Sequence, residues 1–146
     1  MKFIQRTWRR EAFLTAVKVV LVMSSAALMS CSDAAEPPAG CLGDVELIVS
    51  GGSAPTFGWV PSCSLSSLIV VNASEAALWN LQAPVGRNTL VPPITYGVVP
   101  EGAHQEGSLE SLEAGFGYVV RVFRLERTSN DELISVQGGE AFFRID

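Results

Sequence analysis

Lysine is missing from most of this 146-residue chain. Only Lys2 and Lys18 occur, and past residue 18 every cation is an arginine: Arg87, Arg121, Arg124, Arg127 and Arg144. Histidine is scarcer still, with His104 alone. Three cysteines without CxxC spacing and one distant histidine do not make up a zinc set, so neither a metal nor another cofactor is expected. No GxSxG elbow, HExxH motif or P-loop occurs. Nothing in the sequence therefore commits to a reaction, and the expectation is a protein that is not an enzyme. Long apolar runs are missing too. The one near the N-terminus lies between Lys18 and Asp33, too short to span a bilayer with charges at both ends.

What the N-terminus does contain is ordered. Lys2, Arg6, Arg9, Arg10 and Lys18 are followed by Val19-Val20-Leu21-Val22-Met23, then small residues, then Leu28-Met29-Ser30-Cys31. A basic stretch followed by a short apolar one is the layout of a secretory signal. Ending on Cys31 it resembles a bacterial lipoprotein signal. The resemblance implies cleavage before Cys31 and a lipid on that cysteine, hence membrane attachment in the cell envelope. Ser32, at the position that steers sorting, resembles the outer-membrane type. The alternative is an ordinary secretory signal cut near Ala27 or Ala35. The expected organisation is a signal over 1–30, a lipidated tether over 31–40 and one domain over 41–146. The tether is small, polar and Pro-containing, with nothing to bury.

Removing 30 of 146 residues leaves 116, enough for one domain with a real core. Five arginines then face fourteen acids, a net charge of −9. Such a surface disfavours nucleic acid and anionic headgroups as partners. A lipid on Cys31 leaves Cys41 and Cys63 as a pair, and an oxidising envelope makes a disulfide the expectation. Closing a loop of about 22 residues stabilises by roughly 3 kcal/mol in the loop-entropy model.

The rest reads as β-structure. Val45, Leu47 and Val49 alternate onto one face, and so do Phe57 and Trp59 after the Gly51-Gly52-Ser53-Ala54-Pro55 turn. Leu68–Val71 is an unbroken apolar run, as in a strand buried on both sides. Ala76–Leu81 suits a strand or a helical turn; the alternation of Trp79 and Leu81 favours the strand. Thr89–Val99, interrupted by Pro92-Pro93, reads as an edge strand. Tyr118–Leu125 and Glu140–Ile145 complete seven or eight strands, and the fold class is an all-β sandwich. An antiparallel hairpin with paired positions summing to 104 would pair Val45 with Trp59 and set Cys41 opposite Cys63.

Two motifs resemble fibronectin type III domains, an immunoglobulin-like sandwich. One is Trp59-Val60-Pro61, like a second strand with a core tryptophan followed by a proline. The other is Leu112 to Val122, where a leucine precedes Tyr118 by six residues with glycine between. The resemblance implies a tyrosine corner, with the Tyr118 hydroxyl bonding back to the upstream backbone. It implies fold and not activity.

Four features are candidates for function. If Tyr118, Val120 and Val122 point inward, Val119, Phe123 and Leu125 point outward beside Arg121 and Arg127, an apolar stripe suited to an envelope protein partner. Trp79 could stack on a sugar, or pack in the core. Glu101, Glu106, Glu110 and Glu113 could offer oxygens to calcium, or form a solvated loop. His104 beside two glutamates could be a hydrolase base, or an exposed loop residue. The leading expectation is a lipid-anchored, non-catalytic interaction, adhesion or scaffold module. A carbohydrate- or cation-binding module comes next, and a hydrolase using His104 last.

Overall fold

The computed structural model describes residues 39–146. The expected signal over 1–30, the lipidation site Cys31 and the tether as far as Pro38 lie outside them.

The described residues are all-β. Their eight strands are β1 (Glu46–Ser50), β2 (Thr56–Val60), β3 (Ser67–Asn72), β4 (Ala77–Gln82), β5 (Ile94–Thr95), β6 (His104–Glu106), β7 (Gly117–Arg127) and β8 (Leu133–Arg144). They form two antiparallel sheets, one in the order β1-β2-β5 and one in the order β6-β4-β3-β7-β8. The alternations decide which face is buried. Val45, Phe57, Trp59, Leu68, Val70, Leu81, Tyr118, Val120 and Val122 all lie in one core. Phe57 of β2 joins the two sheets, meeting Phe143 of β8 edge-on at 5.6 Å and Trp79 of β4 at 6.4 Å between ring centres. Edge-to-face contacts suit the ring quadrupoles and add to the burial of apolar area.

The two sheets also meet at their margin. Val45 N–H donates to the carbonyl of Gly138 at 2.7 Å. A Cβ on Gly139 would lie 2.7 Å from the Val45 carbonyl oxygen, so the glycine lets the chain entering β1 cross β8 closely. The ladder slips here, with Val122 opposite Gly139 and Phe123 opposite Gln137.

The expected disulfide is present between Cys41 and Cys63, with Cα atoms 5.0 Å apart. The expected hairpin register is not. Leu47, rather than Val45, pairs with Trp59, and Glu46 with Val60. The cause lies at the open end. Gly40 and Ser64 form a parallel bridge, with Cys41 N–H donating to Ser64 O and Ser64 N–H to Ala39 O. The disulfide therefore ties two segments running the same way and does not continue the antiparallel ladder.

Two strands differ markedly in extent from expectation, and a third was not expected. Only Ile94–Thr95 of the Thr89–Val99 segment is strand, at the edge of its sheet. The last strand begins at Leu133 rather than Glu140. β6 was not anticipated. It is three polar residues against β4, fixed partly through side chains, with Asn80 Nδ2 donating to Glu106 Oε2 at 2.9 Å.

Candidate interaction face

The solvent side of the five-stranded sheet is built by alternation on β7. Val119, Arg121, Phe123 and Leu125 all lie on it, and each is half-buried. Pairing extends them into rows. Val119 stands between Val71 of β3 and Phe142 of β8, and Val71 in turn faces Ala77. Arg121 stands between Ile69 and Glu140, and Phe123 between Ser67 and Gln137. The first row is apolar and ends on Phe142, which is 71% exposed.

Arg121 organises the centre. Its Nε donates to Glu140 Oε2 at 2.7 Å, and its two terminal nitrogens take both oxygens of Glu75. Glu75 sits in the β3–β4 turn with φ of 61°, a left-handed conformation rare for a residue with a side chain. Hydrogen bonding from Arg121 holds the Glu75 carboxyl below its ordinary range, and the two carboxylates raise the guanidinium in return. The fork geometry of a bidentate pair fixes the arginine plane. The face is thus an apolar row beside a pinned charge cluster.

Arg124 behaves differently from its neighbours. It follows Tyr118, Val120 and Val122 in the inward series, and it is 7% exposed. It pairs with Asp44 at 3.1 Å and with Glu126, and these bonds raise its pKa against the opposing effect of burial. The alternation carried this signal, since Arg124 is even-numbered like the three core residues before it.

The other candidates separate. Trp79 is in the core, 1% exposed, with its indole N–H on Gln105 Oε1 at 3.1 Å and its ring edge-on to Tyr96. The possibility of sugar stacking is corrected: inward alternation on β4 leaves no free ring face. Tyr96 is itself held neutral, its phenol pushed up to about 12 by burial and then by Glu110. His104 is exposed on β6 opposite Gln82 and borders a shallow cleft of about 220 Å³ that also touches Ser66 and Ser135. Ser66 commits its hydroxyl to the Phe123 carbonyl at 3.0 Å. Glu101, Glu106, Glu110 and Glu113 are all exposed, and among the described residues no three His, Cys, Asp or Glu side chains gather into a metal-sized group.

The tyrosine corner has the expected geometry. Glu113 N–H donates to the Tyr118 hydroxyl at 2.8 Å, and that hydroxyl is 3.3 Å from the Glu113 carbonyl. Trp59 is buried and donates through its indole N–H to Cys63 O at 2.9 Å.

The class defined so far is an all-β protein of two packed antiparallel sheets with one disulfide. No family model, curated protein or solved structure matches the chain.

Proposed function

We propose that the chain is a lipid-anchored protein of the bacterial cell envelope whose fibronectin type III-like sandwich is a non-catalytic interaction module. The anchor is Cys31, most consistent with the outer membrane given Ser32, and the contact is with an envelope protein. The single observation behind the contact is the exposed face of β7 and β8. There an apolar row ending on Phe142 adjoins an arginine already neutralised by two carboxylates. Apolar area beside a fixed polar cluster suits recognition by a protein surface. The sandwich reading draws support from buried Trp59 preceding Pro61 and from the Tyr118–Glu113 corner. Burial of Trp79 removes the feature that favoured a carbohydrate-binding module.

Two measurements test this. The intact mass of membrane-extracted protein should correspond to residues 31–146 plus a lipid adduct, and Cys31→Ala should lose the adduct. A lipid-free mass starting elsewhere ends the anchor reading. Separately, Phe123→Glu should reduce co-purification of an envelope partner while the domain keeps a single cooperative thermal transition, because the half-buried Phe123 lies on the solvent side of β7 and not in the core. Undiminished co-purification by that variant rules out this face.

A further inference from the structure

The five-stranded sheet ends on one side in β6, three residues long, and on the other in β8, twelve residues long. Among the described residues β8 has β7 on one side and no strand on the other. An edge of this length presents a row of backbone donors and acceptors, and proteins usually blunt it with proline, lysine or a bulge. β8 has neither proline nor lysine. Its one irregularity is at Gly138, where Val45 N–H also caps the edge. The stretch from Glu140 to Arg144 has no strand paired on that side among the described residues.

That stretch is complementary to itself. Glu140, Phe142 and Arg144 are exposed on the solvent face, while Phe143 is buried on the other. Two copies related by a twofold axis across the sheet pair residues of equal face, so the paired numbers have an even sum. A sum of 284 sets Phe142 against itself and Glu140 against Arg144, twice by symmetry. A sum of 282 sets Glu140 against Phe142, and 286 sets Arg144 against Phe142. Only the first register matches opposite charges across the strands and an aromatic with an aromatic. The two charged groups keep capacity for it. Glu140 uses one oxygen on Arg121, and Arg144 uses Nε and Nη2 on Gly115 O. On the inner side of the same edge lies a cleft of about 330 Å³ lined by Leu47, Val49, Ala141 and Phe143.

We infer that the open half of β8 pairs antiparallel with β8 of a second copy, centred on Phe142, to join two five-stranded sheets into one. This does not rest on the envelope partner proposed above: that contact lies on the solvent face, shares Phe142 with this edge and is tested at Phe123, whereas the edge pairing is tested at Glu140 and Arg144.

The test uses the full chain purified in mild detergent. Sedimentation should show a monomer–dimer equilibrium, and Arg144→Glu or Glu140→Arg alone should weaken it about tenfold, by setting like charges opposite each other twice. The double reversal E140R/R144E should restore dimerisation. Phe142→Cys should give a disulfide-linked homodimer above the wild-type background on a non-reducing gel, because opposed residues lie within reach of a disulfide. Ile48→Cys, exposed on the other sheet, should not. A monomeric wild type overturns the inference. So does dimerisation indifferent to both single reversals, dimerisation lost in Phe123→Glu but kept in Arg144→Glu, or a Phe142→Cys adduct with a different protein. Loss of partner co-purification in Phe123→Glu with dimerisation intact leaves the two interactions separate.

Discussion

The guanidinium of Arg121 joins three separate stretches of chain: β7 itself, the β3–β4 turn through Glu75, and β8 through Glu140. Both carboxylates are on the surface, so solvent screens the pairs and their individual worth is small. Glu75, held through both oxygens, carries a definite pH signature. The folded-state pKa of Glu75 lies below its ordinary value of 4.5. The folded protein therefore binds fewer protons than the unfolded chain in that range. The stabilisation is complete above the ordinary carboxylate pKa and is lost as pH falls through the depressed one. Urea midpoints should fall on acidification below about pH 5. Glu75→Gln should lower the neutral-pH midpoint and flatten that acid slope. An unchanged slope in the variant excludes Glu75 as a contributor.

At the scale of elements, the best-specified strands are those whose alternation is deep. In β1, β2 and β7 the period of two separates core from solvent cleanly, and sequence and structure agree on the faces. The disulfide was legible because only one pair of cysteines remains once Cys31 is set aside. The hairpin register was not, because it depends on the parallel bridge of Gly40 with Ser64, which no periodicity reports. β6 was hidden because His104-Gln105-Glu106 has no apolar residue to mark a face. The first half of β8 was hidden because Gly138-Gly139 breaks the pattern. The candidate face was readable on β7, but Phe142 as its continuation needed the pairing of β8. Arg124 was not among the candidates, although its position in the alternation puts it with Tyr118, Val120 and Val122. A prediction belongs at this scale. The Cys41–Cys63 link spans 22 residues, and its removal by Cys41→Ala/Cys63→Ala should cost about 3 kcal/mol in the loop-entropy model. Denaturant unfolding of the variant against the oxidised wild type measures it. A loss below about 1 kcal/mol would show that the Gly40–Ser64 bridge and the β1–β2 ladder suffice without the link.

At the scale of the whole molecule, the disulfide also determines how the protein carries load. The described chain begins at Ala39, beside Ser64, and two residues later reaches Cys41. A pull applied from the N-terminal side passes through the sulfur–sulfur bond to Cys63 and on towards β3. The loop containing β1 and β2 is bypassed, so tension cannot peel the first strand from the second. Stretching between residue 39 and the C-terminus should release a contour shorter by about 75 Å than the same protein gives after reduction, the span of those 22 residues. For a domain fastened to a surface by its N-terminus, the covalent loop works as a strain relief, leaving the first hairpin slack while the rest of the fold takes the tension.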